Sequence, residues 1–417
     1  MLVCKLVQTS TDLVAYLMLP HDFILLEDRT TQNSLNLAWY FSNPVEDVVC
    51  LNPSDLEVCL QRIDELKTHG YYLAGFISYE ASYFLQTPFS IQDSHIDPGF
   101  PLLHFKAFKL AQRLSSVEVA GLFNQNDVSD VQIRNLFLNC SEADYIAKFN
   151  TIKEYMRDGH TYQVNLTAKY QSDFEGCPIQ LYQQLRQRQQ VPYSSLLYFD
   201  DYQILSLSPE LFFRKTGGVI QVEPMKGTMP RGENVSQDLE NKTFLTTDPK
   251  SIAENTMIVD LLRNDLSSLS YPGTVDVVSL LKVSSYETLH QMTSTIHGQV
   301  NPDLAFKIII SQLFPCGSIT GVPKRRTMEI INEIEQSPRN IYTGAIGYIM
   351  PNNDMCFNVA IRTLLLRQGR GELGVGGGIV YDSKAQDEFE ELKLKARFFT
   401  QMPGVSSVAQ GSNDEKQ

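Results

Sequence analysis

The stretch Val222–Gly232 reads Val-Glu-Pro-Met-Lys-Gly-Thr-Met-Pro-Arg-Gly and sets one amine, Lys226, between two prolines. Pro224 and Pro230 fix backbone angles on both flanks. Gly227 lets a ligand or a second strand approach the main chain. A lysine beside Gly227 and Thr228 is either a solvated turn residue or an amine that a rigid backbone presents to a bound small molecule. Carboxylates recur on faces that should be apolar. Residues 250–265 read as a helix started by Asp248 and Pro249. From Glu254 the positions i+3, i+4 and i+7 are Met257, Ile258 and Leu261. A carboxylate sharing that face needs a salt bridge or a metal. In residues 386–399 the buried stripe is Phe389, Leu392, Ala396 and Phe399, and Glu388, Glu391 and Lys395 fall on an overlapping or neighbouring face. Alone, such a helix reads as a solvated surface. Two helices turning carboxylates inward favour Mg²⁺, a hard cation that takes oxygen ligands without His or Cys. Arg362, inside the apolar run 357–366, needs an anion, and its fork matches a carboxylate.

The elements that must position these groups follow from hydrophobic period and turn chemistry. Residues 53–66 form a helix with Ser54 as cap and Leu56, Leu60 and Ile63 on one face. Residues 70–80 read as a half-buried aromatic strand. The polar residues 111–140 read as a crossing between two regions. Ser141 and Asp144 have capping-box spacing ahead of Tyr145, Phe149, Ile152 and Met156, and Gly159 closes that helix. Tyr162–Tyr170 alternates as a strand. Gly374-Val-Gly-Gly-Gly-Ile lacks the third glycine of a dinucleotide fingerprint, and Gly317-Ser-Ile-Thr-Gly-Val-Pro-Lys lacks phosphate-loop spacing. Both read as ordinary turns or as bare backbone offering N–H groups to a carboxylate.

With 417 residues the chain can bury a large core. A formal charge of -13 argues against nucleic acid or an anionic membrane as partner. An anionic substrate then needs a locally positive pocket. No apolar run reaches the length of a membrane span, and no secretory leader is evident. Seven scattered cysteines without a Cys-x-x-Cys pair suit reduced thiols in a cytoplasm and offer no zinc site. The last residues, 408–417, read as a disordered tail.

Taken with Ser208-Pro-Glu-Leu-Phe, the Lys226-Gly-Thr stretch resembles the chorismate-utilising enzymes. The resemblance runs from about residue 141 to 400, a catalytic domain, and more loosely over an N-terminal region, 1–110. It implies an α/β (α+β) fold in which two β-sheets pack face to face with helices outside and the active site in a cleft. It also implies a set of roles. Lys226 and Glu210 are catalytic, with Gly227 and Thr228 beside the substrate. Tyr342, Arg362, Gly376 and Lys395 clasp the carboxylates of chorismate. Glu254 and Glu391, supported by Glu388, hold Mg²⁺. Relatives that form anthranilate usually carry Ala where this chain has Lys226. The lysine is thus similar to the branch that replaces the hydroxyl at ring carbon 4 with an amino group, through a covalent lysine adduct, toward 4-aminobenzoate and folate. Anthranilate formation is the alternative.

Departures from the family pattern carry information too. Gln163 matches a water-activating Lys of isochorismate- and salicylate-forming relatives, and an amide cannot serve as a base. Gln291 stands where relatives often have a His. No cysteine sits in the Gly-x-Cys-x-Gly elbow of a glutaminase, so a separate glutaminase subunit is expected to supply ammonia. In Ile24-Leu-Leu-Glu-Asp, Asp28 replaces a Ser of tryptophan-binding relatives, in a pocket whose other wall would be Pro192, Tyr193 and Ser194.

Overall fold

In the strand Phe23–Asp28 successive side chains serve different cores. Phe23 and Leu25 pack with the outer helices, and Ile24 and Leu26 pack against a second sheet. That period-two alternation, repeated across the chain, builds four layers: helices, sheet, sheet, helices. The computed structural model describes residues 22–29, 37–85, 95–123, 130–285 and 289–407, so the expected disordered tail at 408–417 lies outside the described residues.

The first sheet runs, in spatial order, Val405–Ser407, Gln132–Leu138, Gln163–Glu175, Arg370–Val380, Thr363–Arg367, Tyr202–Ser208, Tyr193–Tyr198, Phe23–Asp28, Leu37–Ser42 and Gln112–Ser115. The short strand Gly321–Val322 also pairs with Gln163–Glu175. The second sheet runs Met225–Pro230, Leu289–Gln299, Val219–Glu223, Leu211–Thr216, Met355–Val359, Ala345–Ile349, Tyr72–Ile77, Leu103–Phe108 and Glu46–Cys50, with Asp276–Ser285 also on Leu289–Gln299. Strands from residues before 110 thus enter both sheets and pair directly with later ones, as Phe23–Asp28 does with Tyr193–Tyr198 and Tyr72–Ile77 with Ala345–Ile349.

Between the sheets lies an apolar core containing Ile24, Phe41, Phe76, Phe108, Leu197, Phe199, Ile204 and Leu365. The helices Glu142–Arg157, Pro178–Arg188 and Ala385–Lys395 cover the outer face of the first sheet. Leu56–Thr68, Pro249–Ser267 and Phe306–Leu313 cover the second.

Local start signals are visible at two helices. Ser141 accepts a hydrogen bond from the Asp144 amide, and Asp248 accepts one from the Ser251 amide ahead of Pro249. Elsewhere the structure differs from the sequence reading. Ser54 belongs to a short 3₁₀ turn, Pro53–Asp55, and does not cap the helix Leu56–Thr68. Tyr72–Ile77 is buried on both faces because sheet neighbours and helices enclose it. Residues 112–123 form a strand and a helix where a polar crossing was expected.

Phe76 is fully buried, with Phe100, Phe199 and Tyr202 rings centred 5.4, 6.2 and 6.1 Å away. It stands where the two sheets meet, so Phe76→Ala should cost about 3–5 kcal/mol. Urea unfolding of parent and variant measures this, and a loss below about 1 kcal/mol would mean that the sheets are not closed over this ring.

Candidate active site

The apolar space between the sheets gives way at one end to polar side chains. In Gln163–Glu175 the residues Val164, Leu166 and Ala168 face the helices, so Gln163, Asn165, Thr167 and Lys169 face inward. Two adjacent crossovers, where the chain leaves one sheet for the other, close this end. Ser208-Pro209-Glu210 leads from Tyr202–Ser208 into Leu211–Thr216, and Ala360-Ile361-Arg362 leads from Met355–Val359 into Thr363–Arg367. The crossovers bond to each other's strands: the Leu207 amide donates to Arg362 O and the Val359 amide to Glu210 O, both at 3.1 Å.

Glu210 is 3% exposed, and its Oε1 accepts the Ser318 hydroxyl at 2.6 Å. Burial pushes its carboxyl up to about 7, while Ser318, the Lys226 charge and the Met225 amide pull the other way. Arg362 has a left-handed backbone, φ 51°. Its Nη1 is buried without a hydrogen-bond partner among the described residues. Burial alone lowers this guanidinium to about 10, so it stays charged near neutrality. A buried cation nitrogen left unmatched is costly and marks a place for an anion.

Lys226 lies in a strand, Met225–Pro230, and not in the turn that its glycine and prolines suggest. Met225 pairs with Thr293 and Thr228 with Gln291, so the strand carries one residue more than its neighbour across Lys226-Gly227. This is a β-bulge, and Gly227 meets its demand with φ 89°. A Cβ placed on Gly378 would stand 3.4 Å from Lys226 Nζ and 3.3 Å from Gln163 Nε2. The amine and the amide therefore converge on one bare stretch of the first sheet. Gln163 is 0% exposed, and both its polar side-chain atoms lack a partner among the described residues. Gln291 is buried on the strand facing the bulge. The neighbouring His290 is held between Ser285 and Asp238. The side chain of Thr228 lies outside what is described.

The glycines 374–378 sit inside the strand Arg370–Val380 and not in a loop. The strand Thr363–Arg367 pairs with it only through Leu373, which leaves residues 374–380 laddered on one side by Gln163–Glu175. Gly374 admits the Tyr342 ring, whose Cγ lies 2.1 Å from where a Cβ would be. Lys395 Nζ donates to Gly376 O at 2.9 Å and pairs with Glu391 at 2.8 Å. Glu388 is buried and accepts the Ser383 hydroxyl at 2.6 Å. Its other oxygen, with Lys395 Nζ, brackets Gly377. Gly377 and Gly378 present opposite faces of one strand, so the Glu388–Lys395 group meets this strand from the helix side and Lys226 from inside.

Glu254 is half-buried, on the shoulder of a helix whose inward face begins at Asn255 and continues through Ile258, Val259 and Leu262. Among the described residues no three His, Cys, Asp or Glu side chains converge as a ready cage for a metal. Glu388 and Glu391 share one helix and Glu254 stands on another, and each is an oxygen donor of the kind magnesium takes. Asp28 pairs with Tyr193 across neighbouring strands, accepts Arg214 at 2.5 Å, and lies one residue from Arg29, whose amide bonds Pro192 O. Pro192, Tyr193 and Ser194 are all buried. Ser318 and Ser383 escaped sequence reading. The glycine stretch around 317 was read for its backbone, and its serine hydroxyl is what reaches Glu210.

The chain matches the family of chorismate binding enzymes over residues 22–401 and belongs to it. Over 253 residues it is 40% identical to aminodeoxychorismate synthase component 1 of Klebsiella aerogenes, covering 61% of this chain and 56% of that one. Anthranilate synthase component 1 1 of Haloarcula marismortui is 37% identical over 259 residues, 62% of this chain and 53% of that one. The chain thus spans little more than half the length of these relatives. Anthranilate synthase component I from Streptococcus pneumoniae superposes with a TM-score of 0.75 at 24% identity, covering 94% of this chain and 93% of that one. A putative isochorismate synthase from Bacillus anthracis superposes at 0.73 and 17% identity, covering 94% and 99%. At these identities the structural likeness is one of fold. No helix among the described residues is long and apolar enough to cross a membrane.

Glu210 also makes folding depend on pH. Between its ordinary 4.5 and about 7 the folded chain keeps a proton that the unfolded chain releases. Its burial therefore weighs more heavily against folding as pH rises through that window, and fully above it. Glu210→Gln should gain stability relative to the parent from pH 5 to pH 8. Urea midpoints at the two values check the sign: no trend would mean a solvated carboxyl, and an opposite one a carboxylate paired in the folded chain.

Proposed function

We propose that this protein aminates chorismate at ring carbon 4, giving 4-amino-4-deoxychorismate toward 4-aminobenzoate and folate, with ammonia supplied by a glutaminase subunit. The observation that carries the reading is the approach of Lys226 Nζ and the Gln163 amide to Gly378, with Glu210 buried in the field of that amine. Similarity at 40% to an aminodeoxychorismate synthase component supports it. The unmatched nitrogen of Arg362 receives one substrate carboxylate bordered by Tyr342 and Gly376, and Lys395, on the helix side of the strand, acts on that anion through the Gly376 backbone it bonds. Glu254 and Glu391, with Glu388 in support, would hold Mg²⁺, which neutralises the other carboxylate when bound. To serve as a ligand Glu391 would have to give up its ion pair with Lys395.

One proton passed from the Lys226 ammonium to the Glu210 carboxylate makes both a free amine and an acid. Lys226 Nζ bonds to ring carbon 2, the ring double bonds shift toward carbon 4, and the hydroxyl leaves as water with the proton of Glu210. Ammonia then bonds to carbon 4, the double bonds shift back, and the lysine nitrogen leaves carbon 2. The surplus proton of the incoming ammonia returns to the lysine. A buried Gln163 offers no base to activate water, which keeps a nitrogen nucleophile in the reaction.

Chorismate, Mg²⁺ and ammonium incubated with the protein should yield a product that retains the enolpyruvyl group by mass spectrometry. Anthranilate fluorescence with release of pyruvate would instead assign the carbon 2 reaction. Lys226→Ala should form no covalent substrate adduct detectable on the intact protein, and an adduct of normal yield would refute the nucleophile. Glu210→Gln should lower kcat by roughly 10²- to 10⁴-fold.

A further inference from the structure

Glu80 belongs to the N-terminal part of the chain, in a single turn, Tyr79–Ala81, directly after the strand Tyr72–Ile77. It is 3% exposed. Its Oε1 accepts the Arg339 amide at 2.6 Å and its Oε2 the Asn340 amide at 3.1 Å. The Tyr79 amide donates back to Asn340 O at 2.9 Å. Three hydrogen bonds thus fasten residues 79–80 to the bend that leads into Tyr342. That bend needs a fastener, because Asn340 and Thr343 both hold left-handed backbone, φ 55° and 61°, a conformation costly to residues with a Cβ.

The same bend reaches the catalytic end of the first sheet. The strand Gln132–Leu138 stops pairing with Gln163–Glu175 at Tyr170, and Gly321–Val322 pairs only at Gln163 and Val164. Side chains fill the interval. Glu335 Oε1 accepts the Thr167 amide at 2.9 Å, and Arg339 Nη2 donates to Asn165 O at 2.7 Å. Arg339 also holds Glu335 through Nε and Nη2, both at 2.8 Å, and Ile319 O through Nη1. Ile319 follows Ser318, which holds Glu210. Asn340 in turn donates to Glu372, which pairs with Lys169.

We propose that Glu80 is a positioning residue for substrate: it sets the 339–343 bend so that Tyr342 lies against Gly374 and Arg339 stays wedged beside Asn165. The N-terminal part of the chain thereby takes part in gripping the substrate without touching it. This inference rests on the reading of the site as a chorismate site. Glu80→Gln keeps the volume but turns a donor toward one of the two amides, while Glu80→Asp keeps both oxygens at shorter reach.

Chorismate affinity is measured by equilibrium titration on folded full-length chains, together with the KM and kcat of amination. Glu80→Gln should weaken binding and raise KM together by roughly 10- to 100-fold, the range of a buried amide left without its acceptor, with kcat changed less than about threefold. Glu80→Asp should fall between Glu80→Gln and parent. Combining Glu80→Gln with Tyr342→Phe should cost less than the sum of the two changes, because both act on one contact. A lower active fraction with unchanged affinity in both Glu80 variants would make the residue structural only and overturn the inference. Additive losses would overturn it as well. If the parent itself binds no chorismate, the functional reading falls and takes this inference with it, whereas a binding parent with unaltered variants sinks this inference alone.

Discussion

An unmatched guanidinium nitrogen inside a β-sandwich is the constraint around which this molecule is arranged. Arg362 sits at a crossover between sheets, in strained backbone, with Nη1 buried and unpaired among the described residues. Any rearrangement that wetted it would relieve the cost of desolvation. The structure prevents that by tying the crossover to its neighbour at Ser208–Glu210 through strand-like hydrogen bonds. Those bonds also fix Glu210 on the adjacent crossover. An acid reluctant to ionise and a cation in want of an anion are thus held in register by the same few backbone contacts. Stability is given up here and recovered in the aromatic core a short distance away.

A net negative chain can therefore still hold a place for an anion. Its carboxylates lie both on the surface and, as at Glu210, Glu335 and Glu388, inside, and Arg362 Nη1 is withdrawn from solvent, where electrostatic interactions act through a low effective dielectric. Lys226, Arg362 and Lys395 approach the same strand system from different elements. The polar wedge of Glu335 and Arg339 adds a further pair of charges within the sheet itself, where side chains take over ladder bonds that no strand supplies. Buried pairs of this kind contribute little net stability compared with apolar packing, and their value lies in the geometry they enforce.

Much of the architecture was legible in the sequence because it depends on short-range rules. The Ser141 and Asp248 caps mark where helices start, and the stripe Phe389, Leu392, Phe399 states which face is buried. The paired sheets and outer helices were expected from the family resemblance and are the observed fold. What escaped reading was set by partners far away in the chain. Lys226-Gly-Thr has the composition of a turn and becomes a strand because Leu289–Gln299 pairs with it. The glycines at 374–378 read as turn or loop and lie in a strand, because neighbours need the room their missing side chains leave. Ser54 looked like a cap, yet it lies inside a 3₁₀ turn, Pro53–Asp55, that precedes the helix. The carboxylate of Glu80 gave no local signal at all, since its partners lie some 260 positions downstream.

The bulge at Lys226-Gly227 falls on a terminal strand of its sheet, and the surplus residue shifts the register by one while pairing resumes at Thr228 and continues through Pro230. Such a strand tolerates exchange of the side chain at its bulged position, because no ladder bond depends on what that side chain is. The scaffold thereby separates heritable chemistry from heritable shape. A replaced residue at 226 would meet the same strand and the same bulge, and the surrounding sandwich would carry the novelty at almost no structural expense.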